Sequence, residues 1–252
     1  MFGNVKAIYF ATRKKNDQLW NTYVMRPIAA GVVSVVAPLP ITPNQLTLTS
    51  LGVFVAAAAL FVVLPTWSGG IAAVCALELS YLYDCADGML ARHKKIASKT
   101  GHLFDFFTDE LKATLLAGAL ALRLYRQGGY GLDLTVWPAG SAGFLIGGVA
   151  GVTFVSSAIS LTNFVRRPEL SGRETPVEAH YESVDQAPRP SLVGQVGSLV
   201  MTFLRFLNHY PSHIWIFAIF GRLDVFYWMY VALNLLYLAR GWLGLALRFG
   251  RF

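Results

Sequence analysis

Charged residues are scarce in this chain of 252 residues: only 14% are Asp, Glu, Lys or Arg, while 55% are hydrophobic. A soluble domain of ordinary composition carries about 25% charged residues, so the chain is predicted to be a membrane protein. Cysteine is also rare, and Cys75 and Cys85 are ten residues apart in one apolar run. A helix would separate them by about 15 Å, too far for a disulfide, which predicts that both are packing residues.

Acidic residues are fewer than basic ones, which gives a formal net charge of +7. The basic residues lie mostly between the apolar runs and are not interleaved with aromatic residues that could stack on bases. This pattern is not that of a nucleic-acid module, and no nucleic-acid partner is predicted.

Long apolar runs predict the fold class, an all-α integral membrane protein with six transmembrane helices. A span needs roughly 20 apolar residues, and residues 45–64 and 134–165 contain no charged side chain. The helices are predicted at residues 44–64, 69–90, 103–122, 137–162, 195–220 and 224–246, with a kink in the fifth near Pro211. A polar, proline-containing loop is predicted at about residues 166–190, and the membrane domain as a whole at residues 44–250.

The N-terminal segment, residues 1–43, is basic at first and then apolar over residues 28–41, a run too short to span comfortably. It is interpreted as an interfacial helix on the cytoplasmic side, with Trp20 and Tyr23 at headgroup level. A signal-peptide core is the alternative, although the leading segment is long and no clean cleavage site follows.

The distribution of basic residues predicts the orientation. Six spans place both termini on one side, and that side holds 15 Lys and Arg residues against three, Arg123, Arg126 and Arg222, in the opposite loops. Cytoplasmic loops carry the excess of basic residues, so both termini and the loop at residues 92–99 are predicted to be cytoplasmic.

Four aspartates flank that loop. Asp84 and Asp87 are three residues apart at the end of the second span, and Asp105 and Asp109 are four apart in the third. Each pair therefore lies on one helical face. Two antiparallel neighbouring helices would bring all four carboxylates together at the cytoplasmic end of the bundle. Unpaired carboxylates near hydrocarbon are costly, so the cluster indicates a functional site.

The residue types favour a hard divalent ion. Carboxylate oxygens without metal-spaced Cys or His suit Mg²⁺ or Mn²⁺, and four of them could hold two ions for displacement at phosphorus. Gly88 and Gly101 leave room for a bulky ligand beside the aspartates. Arg92 is a suitable partner for a phosphate that the carboxylates alone would repel.

The complete pattern resembles the signature of the CDP-alcohol phosphotransferases, integral membrane enzymes that make phospholipids and related phosphodiesters. Every fixed position of that signature is present: Asp84-x2-Asp87-Gly88-x2-Ala91-Arg92-x8-Gly101-x3-Asp105-x3-Asp109. The stretch TPNQLTLTSLG at the first span and the number of spans extend the resemblance. It covers residues 40–165 well and the C-terminal third loosely.

The resemblance implies a homodimeric transferase of phospholipid biosynthesis. Its site opens to the cytoplasm and the lipid leaflet, and it binds a CDP-linked alcohol, most often CDP-diacylglycerol, whose substituted phosphate passes to an acceptor hydroxyl with release of CMP. By position, Asp84, Asp87 and Asp105 are implied as ligands of two divalent ions, with Asp109 as the general base that also reaches the metals. Gly88, Ala91, Arg92 and Gly101 are implied at the nucleotide and pyrophosphate.

Several residues are left with two readings. Asn44 either caps the first span or reaches the nucleotide. Lys112 either balances the aspartates or binds a charged acceptor, and a pairing of Lys112 with Glu78 would make both structural. Arg166 and Arg167 are candidate acceptor contacts, as are Arg205, His209 and His213, although the arginines could equally extend to the interface. Two other functions stay open: a transferase that uses a soluble CDP-alcohol with a lipid or polyol phosphate acceptor, and a cation- or proton-coupled transporter.

Overall fold

The structure, a computed structural model, describes residues 2–13, 17–165, 203–204 and 206–249. These residues are almost entirely helical. The helices are α1 (Phe2–Thr12), α2 (Arg26–Val36), α3 (Pro43–Val63), α4 (Trp67–His93), α5 (Lys99–Gln127), α6 (Ala142–Val165), α7 (Ile214–Ile219) and α8 (Leu223–Phe249). A π-helical turn, Asn21–Met25, precedes α2, and a 3₁₀ turn, Tyr210–Ser212, precedes α7. Strands β1 (Gly129–Tyr130) and β2 (Val136–Trp137) form a short antiparallel hairpin.

Three of these helices are long and apolar enough to cross a membrane: α3, α6 and the Leu223–Leu247 part of α8. They correspond to the predicted first, fourth and sixth spans. α4 and α5 are longer still but carry the charged residues of the aspartate cluster. The described residues therefore indicate an all-α membrane protein.

α3 begins where the sequence predicts, but a different residue caps it. The Thr42 hydroxyl accepts a hydrogen bond from the Gln45 N–H, and the Gln45 side chain accepts one from the Thr42 N–H at 2.9 Å. This reciprocal capping box, with Pro43 in the first turn, satisfies two N–H groups that have no partner within the helix. The interpretation of Asn44 as the cap is therefore wrong, and its side chain is available for another contact.

α4 and α5 are not the closely packed pair that the sequence suggested. α3 packs along both of them, whereas direct packing between α4 and α5 is slight. α5 also begins at Lys99 and not at residue 103, because the Ser98 hydroxyl caps it by accepting from the Gly101 N–H at 3.0 Å. At the aspartate-bearing end, the two helices meet through side chains, as in the contact between Lys112 and Asp84.

The hydrophobic core has two parts. The larger part contains side chains from all six helices from α3 through α8, among them Phe54, Leu77 and Phe226. A second cluster packs α1 and α2 against the end of α4, where Cys85 and Met89 lie. The predicted helix of the N-terminal segment is present as α2, and α1 was not foreseen. Both helices pack beside the aspartate-bearing end of α4.

Residues between α1 and α2 form a polar network with distant parts of the chain. The Asp17 carboxylate pairs with Arg26 and accepts a hydrogen bond from the Asn21 side chain at 3.0 Å. Burial tends to raise the pKa of Asp17, but the Arg26 charge and these hydrogen bonds prevail and lower it below its usual value. The Tyr81 hydroxyl lies 2.6 Å from Asn21 Oδ1 and 2.7 Å from His209 Nε2, so the network reaches α4 and the C-terminal part.

Two aromatic predictions for this segment have different outcomes. The Tyr23 side chain is 75% exposed, which is compatible with an interfacial position. Trp20 instead stacks on Trp215, with ring centroids 5.8 Å apart. This contact does not fix the depth of the ring in a membrane, so the headgroup position of Trp20 stays a prediction.

The fourth helix starts later than predicted because a hairpin precedes it. The Tyr130 N–H donates to Asp224 Oδ2 at 2.8 Å, which ties the hairpin to the start of α8. Trp137, expected inside the fourth span, belongs to β2 and packs edge-on against Phe144 and Trp228. α6 consequently begins at Ala142.

Parts of the C-terminal prediction lie outside the described residues: the loop at residues 166–190, residues 195–202 of the fifth span, and Arg205. Within the described part, the interruption expected near Pro211 is present as the 3₁₀ turn before α7. The proline lacks an N–H and so favours such a break.

Arg123 was assigned to a loop on the opposite side but is buried within α5, with 1% of its surface exposed. Its guanidinium donates to the carbonyl oxygens of Leu64 at 3.0 Å and Thr66 at 2.6 Å. The Leu64 carbonyl lies just after α3, where helical partners run out, and the Thr66 carbonyl lies at the start of α4, where it also accepts from the Gly70 N–H. Arg123 therefore joins α5 to the end of α3.

Replacing Arg123 by Met should destabilise the protein, because the partly buried hydrogen bonds from its guanidinium to the Leu64 and Thr66 carbonyl oxygens would be lost. Each such loss costs about 1 to 3 kcal/mol. The measurement is the thermal unfolding midpoint of purified protein in detergent. Arg126→Met is the matched control: Arg126 is exposed on the same helix and donates only to the Val62 carbonyl. An equal effect of the two substitutions would contradict this account of Arg123.

Candidate active site

Three of the four predicted carboxylates lie together. Ligand oxygens of Asp84 on α4 and of Asp105 and Asp109 on α5 are all within 4.8 Å of one another. The Asp109 side chain is half exposed, whereas that of Asp84 is 13% exposed. The group therefore forms an acidic site with one accessible carboxylate.

Asp87 adjoins this group but has a further partner. It is 4% exposed and lies near enough to Asp84 and Asp105 for their charges to repel. Its Oδ2 accepts a hydrogen bond from the Thr47 hydroxyl of α3. This contact orients the carboxylate and links a third helix to the site.

Sequence reasoning missed Thr47. The available signal was its position three residues after Asn44, which places two polar side chains on one face at the start of an otherwise apolar helix. Only the packing of α3 against α4 identifies Asp87 as the partner.

Lys112 lies between the carboxylates. Its ammonium donates to Asp84 Oδ1 and to Asp109 Oδ1, the latter at 3.2 Å, and the residue is 2% exposed. Of the two predicted roles, this contact favours charge balance. Glu78, the suggested partner, instead has its carboxylate beside Trp20.

Arg92 is held at the end of α4 by the N-terminal segment. Its Nε donates to the Thr12 carbonyl at 2.8 Å. Its two terminal nitrogens lie above Gly88, where an added Cβ would come within 3.4 Å and 3.7 Å of them. The guanidinium thus lies directly over Gly88, the residue that follows Asp87.

Two further residues predicted to contact the nucleotide, Gly101 on α5 and Asn44 on α3, lie next to each other. An added Cβ on Gly101 would be 3.4 Å from Asn44 Oδ1 and 3.1 Å from the Ser98 hydroxyl. Ala91, the remaining member of the set, is partly buried beside Arg92. Small residues thus leave room around Asn44 and Arg92.

The two histidines suggested for an acceptor pocket are engaged in the described structure. His209 bonds to Tyr81 and to the Ser212 hydroxyl. His213 is 4% exposed, with its ring against Phe206, Phe217 and Phe226. These contacts favour structural roles. Arg166 and Arg167, the other acceptor candidates, lie outside the described residues.

The donor set fits a divalent metal ion. All ligand atoms of the group are carboxylate oxygens, within 4.8 Å of one another, and hard ions such as Mg²⁺ and Mn²⁺ prefer such ligands. A basic residue for phosphate lies close by, since the Asp87 charge acts on Arg92. The arrangement is suited to chemistry on a phosphate bound through metal.

Fold and site together define a helical membrane protein with an acidic, metal-compatible centre beside a guanidinium. The family model for CDP-alcohol phosphatidyltransferase matches residues 40–166. The chain belongs to this family and is therefore a phosphotransferase that acts on CDP-alcohols, as the sequence resemblance predicted. The matched residues include α3 to α6 and all four aspartates. A comparison with curated proteins finds no significant match.

Proposed function

We propose that the protein transfers a phosphatidyl group from CDP-diacylglycerol to the hydroxyl group of an acceptor alcohol, with release of CMP, in phospholipid biosynthesis. The observation that carries this proposal is the group of three carboxylates, Asp84, Asp105 and Asp109, within 4.8 Å of one another. Asp87 and Arg92 beside it supply the other groups that a charged phosphate donor requires.

Asp84, Asp87, Asp105 and Asp109 are the proposed ligands of two divalent ions, Mg²⁺ or Mn²⁺. When bound, these ions would polarise the phosphate oxygens and lower the charge barrier to nucleophilic attack. Thr47 fixes Asp87 through its hydrogen bond. The pyrophosphate would contact Arg92, with Gly88 and Ala91 leaving it room, and Asn44 and Gly101 would contact the nucleotide.

Asp109 is the proposed general base, supported by its half-exposed side chain. It would take the proton of the acceptor hydroxyl as that oxygen attacks the phosphorus on the alcohol side of the pyrophosphate. A new phosphorus–oxygen bond forms to the acceptor, the bond to the bridging oxygen breaks, and CMP leaves with that oxygen. Arg166 and Arg167, which follow α6 in the sequence, remain proposed acceptor contacts.

We further propose six membrane spans, with both termini and the active site on the cytoplasmic side, and assembly as a homodimer. α4 and α5 would add two spans to the three apolar helices, and the sixth would be the segment predicted at residues 195–220, which lies partly outside the described residues. The greater number of basic residues at the predicted cytoplasmic segments supports the orientation.

The donor is tested by incubating the purified chain with Mn²⁺ and a mixture of polyols and polyol phosphates. CDP-diacylglycerol is compared with CDP-choline, CDP-ethanolamine and a CDP-polyol, the last three assayed with added lipid acceptors. We expect CMP release and a new phosphatidyl product only with CDP-diacylglycerol. If a soluble CDP-alcohol were converted and CDP-diacylglycerol were not, the donor assignment would be wrong.

A further inference from the structure

We propose that Lys112 is a built-in cation of the aspartate cluster, so that the protein without donor holds one divalent ion and takes up the second together with the CDP-alcohol. This inference rests on the proposed function, because it concerns the same four aspartates. It assigns Lys112 to control of metal binding and not to contact with the acceptor.

Lys112 lies between aspartates of two different helices. Asp109 and Lys112 are three residues apart on α5 and so share a helical face, while Asp84 approaches from α4. The ammonium donates to one oxygen of each carboxylate and is 2% exposed. A buried ammonium requires anionic partners, and these two carboxylates supply them. Lys112 thus occupies a cation position between the two helices.

Several carboxylate oxygens of the four aspartates already have a hydrogen-bond partner. Four carboxylates offer eight oxygens, and at least three of these already have a partner: Lys112 engages Asp84 Oδ1 and Asp109 Oδ1, and Thr47 engages Asp87 Oδ2. Mg²⁺ requires near-octahedral coordination by about six oxygens. A second ion that used Asp84 Oδ1 or Asp109 Oδ1 would have to compete with the lysine for these oxygens.

The net charge of the cluster also favours a single divalent ion in the absence of donor. Four carboxylates and one ammonium leave a deficit of positive charge that one divalent ion nearly removes. A second ion would reverse the sign of the cluster, which is unfavourable in a partly buried site. The doubly charged pyrophosphate of the donor restores the balance. Donor and second ion are therefore expected to bind cooperatively, each raising the affinity for the other.

The test is a Mn²⁺ titration of the full-length chain in detergent, with bound and free ion distinguished by electron paramagnetic resonance. We expect one tightly bound Mn²⁺ per chain without nucleotide, and two when CDP is added as a non-reactive probe. Reciprocally, the affinity for CDP should continue to increase as the Mn²⁺ concentration is raised above the level that saturates the first site. Two ions of similar affinity without CDP would overturn the inference.

Lys112→Gln provides the second arm. Without its ammonium, the chain should bind the second Mn²⁺ at least 10-fold more tightly in the absence of CDP, whereas Lys112→Arg, which keeps the charge, should resemble the wild type. Lys99→Gln on the same helix is the exposed control and should leave both affinities unchanged. An unchanged second site in Lys112→Gln would contradict the role of Lys112.

These outcomes separate the inference from the function on which it rests. Binding of two ions to the wild type without CDP would refute the role of Lys112 and leave the aspartate site intact. Mn²⁺ binding that survives Asp105→Asn unchanged would instead refute the metal site itself. Because the main measurement uses the unaltered chain, it does not depend on whether a variant folds.

Discussion

Asp109→Asn should lower kcat by at least about 100-fold, because general acid–base groups contribute roughly 10² to 10⁴ in rate. Asparagine keeps the size of the side chain and can still accept a hydrogen bond from Lys112, but it cannot take the acceptor proton. Because Arg92, Gly88 and the other three aspartates are unchanged, binding of CDP should be largely preserved. The measurement pairs a CMP-release assay with a CDP-binding titration at saturating Mn²⁺.

Glu110→Gln is the matched control for this substitution. Glu110 is the next residue on α5, and its carboxylate accepts a hydrogen bond from the Asn163 side chain of α6 at 2.7 Å, a contact that glutamine can keep. Activity close to that of the wild type is expected. Full activity in Asp109→Asn would remove Asp109 as the base, and a parallel loss of CDP binding would indicate that it serves the donor site.

Asp84→Asn should abolish activity and also destabilise the protein. The substitution removes a proposed metal ligand and, among the described residues, leaves the half-exposed Asp109 as the remaining ion-pair partner of the buried Lys112 ammonium. Breaking a buried ion pair on one side costs about 3 to 5 kcal/mol. A large fall in the unfolding midpoint, measured without added divalent ions, is expected together with the loss of CMP release.

The double variant Asp84→Asn with Lys112→Met separates these two effects. Methionine removes the ammonium that the first change leaves poorly paired, so most of the stability should return while activity stays absent. A double variant no more stable than Asp84→Asn would show that the ion pair is not the source of the destabilisation. Recovered activity would exclude Asp84 as an essential ligand.

Helical periodicity explains why the sequence predicted much of the site. The spacings of Asp84 with Asp87, and of Asp105 with Asp109, place each pair on one face whatever the tertiary fold. The signature residues also identified the family without any knowledge of packing. Three of the four carboxylates accordingly lie together in the structure.

Contacts between distant segments could not be predicted in this way. Lys112 contacts Asp84, which is 28 positions away in the sequence, and Thr47 contacts Asp87, which is 40 positions away. Both contacts depend on how the helices are arranged. Arg123 appeared to be a loop residue because a charge near the end of an apolar run resembles an interfacial anchor. Its actual partners are carbonyl groups at the end of α3, which no pattern of side chains reveals.

Local signals weaker than helical periodicity also determined several boundaries. Ser98 extends α5 toward the aspartate-flanked turn by capping it, and the hairpin that precedes α6 removes Trp137 from the predicted span. The N-terminal segment was expected to form an interfacial helix over residues 28–41, and no contact of residues 1–13 with the site was predicted. Its α1 instead supplies the Thr12 carbonyl to Arg92, so it contributes to the geometry of the proposed pyrophosphate site.

The most direct measurement of the central claim is the conversion of CDP-diacylglycerol by the purified chain, with CMP and the new phosphatidyl product quantified together. The account predicts equal amounts of both products, formed only with an acceptor alcohol and Mg²⁺ or Mn²⁺, and lost on chelation and in Asp105→Asn. CMP release that continues under chelation, or at the wild-type rate in Asp105→Asn, would contradict the claim that the aspartate cluster is the catalytic centre.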